Sequence, residues 1–284
     1  MNKILFDISE KIEPSFVDAL YEFNKVASSL DIPFFIVGAT ARDFILEYCF
    51  GIKSPRMTRD IDLGIVVANW DKFNRLSKTL LSNNNFSKDK EKQRYIFKDV
   101  FIDIVPFGPI SDKDKKISWP PEHEIIMSTL GFKEAYDSSV NVKLSSEPEL
   151  YVKLPTLPGL AIMKLISWKE KYPARKRDAE DLLFIMNKYE EAGNLDRLYE
   201  TESTLFIEEG SNARLACIRL LGRDMAKISN TDTLEVIKKI LDVETCDESK
   251  YHLVTHMVGR NDNFDEILIQ LEKLKQGIFE SSSD

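Results

Sequence analysis

The sequence is poor in cysteine and contains no long apolar segment, and each shortage excludes a class of protein. Its three cysteines, Cys49, Cys217 and Cys246, are odd in number and show no C-x-x-C spacing. Such a set does not form a disulfide framework and suits a reducing compartment. No segment provides the roughly 20 apolar residues that a membrane span requires, and the first apolar run is too short for the core of a signal peptide. We therefore expect a cytoplasmic protein that has no membrane partner.

Basic residues and histidines are also scarce. The chain has 39 lysines and arginines against 47 aspartates and glutamates, a formal net charge of −8. This balance disfavours extended DNA binding, which needs many contacts between basic side chains and phosphates, but it allows a local basic groove. His252 and His256 share one helix face, yet the glutamate of an H-E-x-x-H zinc motif is absent, which favours ordinary surface positions. The sequence also shows no recognisable Ser-His-Asp or Cys-His arrangement, which disfavours covalent hydrolase chemistry.

The chain has 284 residues, of which 43 % are hydrophobic, and this length is enough for two domains of about 100–200 residues each. Apolar residues at helical spacing predict helices over Phe16–Leu30 and Trp70–Leu81. The strand-like segments are FFIVG, DIDLGIVV, RYIFK, VFIDIVPFG, VNVKLSS and ELYVKLP. Helical patterns then take over, with breaks near Pro173, Gly193, Gly210, Asn230 and Asn261. We predict an α+β protein with a mixed-sheet domain over residues 1–157 and a helical domain over residues 158–284.

Two aspartates share one apolar strand, DIDLGIVV. Alternation along a strand places Asp60 and Asp62 on the same face, about 7 Å apart. At an effective dielectric constant of about 20 the two charges repel each other by roughly 2 kcal/mol. Asp103, in the apolar segment FIDIV, adds to that repulsion if its strand lies alongside. Three such carboxylates suit Mg²⁺ or Mn²⁺; alternatively, Asp60 is a strand-entry cap and Asp62 lies at an exposed edge.

A glycine turn precedes these aspartates in the segment VGATARD. Backbone N–H groups after Gly38, the Thr40 hydroxyl and the start of a helix together offer an anion site that suits nucleotide phosphates. The alternative is a tight turn with Thr40 as an ordinary N-cap. The order of turn, D-x-D strand and later aspartate strand favours the functional interpretation.

A lone lysine interrupts the apolar helix GLAIMKLISW. Lys164 there either extends along a domain boundary to reach water or meets an anion such as a phosphate, and we favour the phosphate. Asp178 and Asp181 begin the next helix, where acids stabilise any N-terminus. The preceding segment Arg175–Arg177 could hold a triphosphate or RNA, or could be a solvated loop.

The segments VGATARD, RMTRDIDLGI and FIDIVPFG resemble the signature of the DNA polymerase β-type nucleotidyltransferase superfamily, and more narrowly that of the AbiEii/AbiGii toxin family. The segment LPTLPGLAIMKLISWKEKYPARKRDAEDLLFI is similar to the lysine-bearing helix of that family and its (K/R)D-x-x-D helix start. One departure is that Ala39 and Thr40 replace the glycine-serine pair common in the superfamily.

The resemblance implies a metal-dependent nucleotidyltransferase that moves NMP from an NTP to an acceptor hydroxyl. The implied acceptor is an RNA 3′ end, in particular tRNA, and the implied setting is a toxin–antitoxin or abortive-infection system with a cognate antitoxin. Transfer to a protein or small molecule, and nucleotide binding without catalysis, stay open as alternatives.

The resemblance also implies roles for individual residues. The metal, Mg²⁺ or Mn²⁺, would be held by Asp60, Asp62 and Asp103, and Asp103 would help to deprotonate the acceptor hydroxyl. The nucleotide, in a cleft between the two domains, would meet Gly38, Thr40, Arg42, Lys164, Asp178 and Asp181. Arg42 could instead brace the site internally, and which of Asp178 and Asp181 is the functional acid stays open.

Overall fold

The computed structural model describes residues 4–54, 56, 58–259 and 262–280. The chain forms two compact units, Met1–Thr156 and Leu157–Asp284. The first unit combines sheets with a few helices, and the second is helical. The α+β prediction is therefore confirmed, whereas the roles expected of the two domains stay predictions.

The first unit is built on a mixed five-stranded sheet in the order β2-β3-β6-β5-β4. Its strands are β2 (Phe34–Val37), β3 (Asp60–Val66), β4 (Phe86–Lys88), β5 (Arg94–Phe97) and β6 (Val100–Phe107). The pair of β3 and β6 is parallel, and the other neighbours run antiparallel.

Two smaller sheets complete this unit. A three-stranded sheet contains β1 (Ile4–Asp7), β9 (Val140–Ser146) and β10 (Glu149–Leu154), and a two-stranded sheet pairs β7 (Lys116–Ser118) with β8 (Ile126–Ser128). The helices are α1 (Pro14–Ser29), α2 (Gly38–Asp43), α3 (Trp70–Leu81) and α4 (Phe132–Asp137), and α2 continues into a π-helical segment, Phe44–Cys49.

The alternating sequence of the central strands decides which face of the five-stranded sheet is the core. Ile61 and Leu63 on β3, and Ile102 and Ile104 on β6, are fully buried. The residues between them point to the opposite face, because successive strand side chains alternate. That opposite face carries the aspartates.

The described residues of the second unit form helices joined by turns. The helices are α5 (Leu157–Lys171), α6 (Lys176–Lys188), α7 (Leu195–Glu200), α8 (Ser203–Glu208), α9 (Ala213–Ile228), α10 (Thr231–Thr245), α11 (His252–Met257) and α12 (Phe264–Glu280). Between α6 and α7, the segment Glu190–Asn194 contains a kink at Ala192 and Gly193, whose backbone angles are not helical. The break expected near Asn261 lies outside the described residues. Among the helices that the structure describes, none has the length and apolar character needed to cross a membrane.

Candidate functional site

Parallel pairing of β3 with β6 brings the three predicted carboxylates together on one sheet face. Asp62 and Asp103 are register partners, and Asp60 lies two residues earlier on the same strand. Neighbouring strands are about 4.8 Å apart, so the side chains of register partners are close neighbours. Asp103 thus lies alongside Asp60 and Asp62. Its charge adds to the repulsion between them, which favours a cation at this site.

An arginine that sequence reasoning missed contacts this group. Arg94 is the register partner of Asp103 on β5, and its Nε and Nη2 atoms donate to Asp103 Oδ1 and Oδ2, both at 2.8 Å. The same Nη2 lies 3.3 Å from Asp60 Oδ2. The guanidinium carbon is 5.1 Å from the centroid of the Phe101 ring. Hydrogen bonds to Asp103, together with the nearby charges of both aspartates, raise the pKa of Arg94 above its ordinary value.

The glycine turn lies directly against the second aspartate. Val37, the last residue of β2, pairs with Asp62 across the sheet, and the chain turns at Gly38 with a φ of +68°. A Cβ atom on Gly38 would lie 2.1 Å from Asp62 Oδ2. Glycine is therefore required here both for its backbone conformation and for the close approach of the carboxylate.

Thr40 is not the N-cap that the alternative interpretation of the glycine turn expected. Helix α2 begins at Gly38, its N-cap is Val37, and no side chain caps it. Thr40 is fully buried, and its hydroxyl donates to the carbonyl oxygen of Asp60. This bond fixes the start of α2 to the start of β3. A contact between the Thr40 hydroxyl and a phosphate stays a prediction.

Arg42 is fully buried and belongs to a polar network that braces the site from within. Its Nε and Nη2 donate to Asp43 Oδ1 at 2.9 and 2.6 Å, and Nη2 also donates to the carbonyl oxygen of Arg56 at 3.0 Å. Asp43 accepts further bonds from the Ser54 hydroxyl, at 2.6 Å, and from the Thr58 backbone N–H, at 3.3 Å. The network ties α2 to the loop before β3, so the geometry favours the bracing alternative over nucleotide binding.

Lys164 meets two carboxylates of its own unit. Its Nζ lies 2.8 Å from Asp178 Oδ1 and 2.7 Å from Asp181 Oδ2, and the Ser167 hydroxyl donates to Asp178 Oδ2 at 2.8 Å. All three charged residues are buried. Burial acts to lower the pKa of Lys164, but Asp181 and Asp178 outweigh it and the net pKa is raised.

This ion-pair group accounts for the lone charge in an apolar helix. The lysine does not extend to water, because its side chain is only 10 % exposed, and both candidate acids contact it. Its contact with a phosphate stays a prediction, as does the choice between Asp178 and Asp181 as the functional acid.

The two helical histidines belong to an aromatic cluster rather than to an ordinary helix surface. Trp168 Nε1 donates to His256 Nδ1 at 3.1 Å, and the Tyr172 hydroxyl lies 3.0 Å from His252 Nδ1. The Tyr172 ring packs against both imidazoles, with centroid distances of 4.7 Å to His252 and 5.2 Å to His256. Burial, with nearby Lys176 and His252, lowers the pKa of His256.

The three-aspartate group fits a divalent ion by its chemistry. Within the described residues, no three acidic, histidine or cysteine side chains enclose a position for a metal as they stand. The donors are nevertheless hard carboxylate oxygens, the ligands that Mg²⁺ and Mn²⁺ prefer. A cationic guanidinium already contacts two of the three carboxylates, which shows that the group stabilises positive charge.

Residues 18–245 match the model of a family described as "Nucleotidyl transferase AbiEii toxin, Type IV TA system".

Similar solved structures include ANT(2″)-Ia in complex with adenylyl-2″-tobramycin (13 % identity over 72 % of this chain and 97 % of that chain, TM-score 0.35). The Thermotoga maritima CCA-adding enzyme complexed with tRNA is 13 % identical over 98 % of this chain and 85 % of that chain, with a TM-score of 0.28. A CCA-adding enzyme with ATP is 14 % identical over 96 % and 83 % of the two chains, with a TM-score of 0.34. A search of curated proteins found no match. Likenesses this weak carry no weight for the reaction, whereas the family match spans most of the chain.

Proposed function

The chain belongs to the AbiEii family of nucleotidyltransferase toxins, and we propose that it transfers NMP from an NTP to the 3′-terminal hydroxyl of an RNA, specifically a tRNA. The carrying observation is the three-aspartate face, with Asp62 and Asp103 in register and Gly38 packed against Asp62. Family membership supplies the reaction type and the toxin–antitoxin setting. The RNA acceptor and the metal dependence are the proposed refinements.

In the proposed reaction, Asp60, Asp62 and Asp103 would hold Mg²⁺ or Mn²⁺, which would supply polarisation of the phosphoryl oxygens and neutralisation of the charge on the pyrophosphate. The acceptor oxygen forms a bond to the α-phosphorus while the bond from that phosphorus to the pyrophosphate oxygen breaks. Asp103 takes the proton of the acceptor hydroxyl. Backbone N–H groups at the Gly38 turn orient the phosphates, so that the protein contributes mainly positioning and charge neutralisation.

Exposed cations and aromatic rings in the helical unit support an RNA acceptor. The side chains of Arg175 and Lys176 are 58 % and 51 % exposed, and their ion pairs with Asp178 and Glu180 are long, at 3.7 Å. Tyr172, itself partly exposed, stacks beside His252. Unpaired RNA bases stack on such rings, and a few lysine or arginine contacts to phosphate suffice despite the net charge of −8. RNA binding should consequently weaken as the salt concentration rises.

The proposal extends to the cell. A toxin of this kind acts where NTP and tRNA are available, so we place it in the cytoplasm together with a cognate antitoxin. Its expression without that antitoxin is expected to slow growth.

Labelling of a whole-cell extract tests the acceptor. The purified chain is incubated with each α-labelled NTP and the extract, in Mg²⁺ or Mn²⁺, and the products are separated into RNA, protein and small molecules. We expect label in the tRNA fraction, at the 3′ end, and its loss on chelation of the metal. Label confined to protein or to small molecules would replace the RNA acceptor by one of the alternatives, while nucleotidyl transfer itself would stand.

A further inference from the structure

Arg94 occupies the position in the acidic site where positive charge is needed. Its guanidinium engages both carboxylate oxygens of Asp103 and one of Asp60, and the Phe101 ring packs against it. We call this set of contacts from the Arg94 guanidinium to Asp103 and Asp60 the fork. The sheet holds the fork in place, because Arg94 and Asp103 are register partners on antiparallel strands. Such planar, bidentate pairs are the strongest kind that arginine makes with a carboxylate.

Arg94 engages both carboxylate oxygens of Asp103 and one oxygen of Asp60. A divalent ion that used Asp103 as a ligand would therefore have to share or take over an oxygen that Arg94 already engages. Two cations on the same oxygens repel each other, so that bound metal and the complete guanidinium fork oppose each other. The pair is also open to exchange, because the Arg94 side chain is 27 % exposed and the Asp60 side chain 39 %.

We propose that Arg94 is an internal counter-ion that competes with the catalytic metal for Asp60 and Asp103 and that is displaced when the metal binds. The inference rests on the proposed metal-dependent function and adds a built-in restraint to it. Without metal, Arg94 neutralises part of the charge of the three aspartates and stabilises the sheet. On metal binding, Arg94 would give up its bonds to Asp60 and Asp103, and its guanidinium could then pair with a phosphate.

A positioning role for Arg94 predicts the opposite change in metal affinity. If Arg94 instead orients Asp103 for the metal, as a positioning residue, its removal weakens metal binding. The sign of the change in metal affinity therefore separates the two roles.

The test is Mn²⁺ binding to the full chain without nucleotide, measured from the electron paramagnetic resonance signal of free Mn²⁺. Arg94→Met removes the charge and keeps an aliphatic chain against Phe101, and we expect it to lower the Kd for Mn²⁺ by roughly fivefold or more. The matched control is Arg59→Met, because Arg59 is exposed and directly precedes Asp60. It removes the same charge from the neighbourhood without removing the fork, and its Kd should stay within about twofold of the wild-type value.

Thermal melting gives a second readout. Metal-free Arg94→Met should melt at a lower temperature than the wild type, because Asp60 and Asp103 lose the cation that contacts them, and Mn²⁺ should raise its melting temperature by more than it raises that of the wild type. Should Arg94→Met fail to fold, Arg94→Gln decides: it removes the positive charge but keeps a polar side chain that can donate a hydrogen bond to Asp103, so Mn²⁺ should bind it more tightly than the wild type.

An unchanged or higher Kd in the Arg94 variants, an equal gain in Arg59→Met, or no Mn²⁺ binding by any of these proteins would overturn the inference. None of these titrations measures transfer. A chain that transfers NMP but shows no gain in Arg94→Met loses only the inference, and a chain that shows the gain but transfers nothing loses only the proposed function.

Discussion

At the scale of residues, the two groups of aspartates differ in how firmly their cation is held. Lys164 is buried between Asp178 and Asp181, where removal of one charge leaves the others in a medium that solvates them poorly. Arg94 and its partners are partly exposed, and water moderates the cost of separating them. Lys164 should therefore be harder to separate from its carboxylates than Arg94 is from Asp60 and Asp103.

Lys164→Ala is expected to lower the free energy of unfolding by about 3–5 kcal/mol, because two buried carboxylates lose their partner. The measurement is urea denaturation followed by circular dichroism. The matched control is Lys169→Ala on the same helix, whose ammonium is 46 % exposed and 3.8 Å from Glu244; it should cost at most about 1 kcal/mol. Equal, small effects of both substitutions would show that the buried ion pairs do not hold α5 to α6.

The sequence predicted that Lys164 and the aspartates of both groups are site residues, but it predicted neither their pairing nor the involvement of Arg94. Lys164 stood out as a charge in an apolar helix, yet its partners lie 14 and 17 residues later in the chain. Arg94 gave no signal at all, because its contact with Asp103 depends on the register of β5 against β6. Pairing across a sheet is decided by turn geometry and core packing, which local patterns do not specify.

At the scale of elements, strong periodicity was predictable and the shortest strands were not. The predicted helix Trp70–Leu81 is confirmed as α3, and the strand-like segments correspond to β2, β3, β5, β6, β9 and β10. Strands β4, β7 and β8 have only three residues each, too few for alternation to be recognised, and the four-residue β1 was not predicted either. Their pairing partners, rather than their own residues, define them.

The predicted breaks in the helical unit have identifiable causes. Asn230 is the N-cap of α10, and its side chain accepts a hydrogen bond from the Thr233 N–H at 2.9 Å. Gly193 and Gly210 have φ values of +81° and +61°, which glycine adopts without strain. Polar caps and glycines mark helix ends in sequence because they satisfy or reverse the backbone there.

Gly222 and Gly277, which no sequence pattern singled out, bring α9 and α12 into close contact. A Cβ atom on Gly277 would lie 1.9 Å from the carbonyl oxygen of Arg219, and one on Gly222 would lie 2.2 Å from that of Leu274. The two helix backbones thus touch where neither has a side chain. This contact fixes the distance between the helices.

Gly277→Ala is therefore expected to destabilise the chain by about 2 kcal/mol, although the same change inside a solvent-exposed helix stabilises by about 1 kcal/mol. Chemical denaturation measures the difference. Glu272→Ala, at an exposed position of α12, is the control for helix propensity and should change stability by less than about 0.5 kcal/mol. A stabilised Gly277→Ala protein would mean that the two helices are not in backbone contact in solution.

At the scale of the whole molecule, the order of the motifs predicted the function, and the composition limited the possible partners. The order of glycine turn, D-x-D strand and later aspartate strand pointed to the nucleotidyltransferase fold, and the family match over residues 18–245 bears out that resemblance. The fold explains the order: β2, α2, β3 and β6 are neighbours in one sheet and its first turn. The composition did not predict the reaction, because a net charge of −8 affects which partners the chain can bind and not which chemistry it performs.

The central claim is that the three-aspartate face performs nucleotidyl transfer, and its most direct test is the rate of NMP transfer by Asp62→Asn. This substitution removes one carboxylate charge and keeps the size of the side chain beside Gly38. Asp99→Asn, an exposed aspartate in the turn before β6, is the matched control, and the melting temperatures of both variants show that they are folded. The account predicts that Asp62→Asn loses at least about 100-fold in transfer rate while Asp99→Asn retains the wild-type rate. Undiminished transfer by folded Asp62→Asn would contradict it.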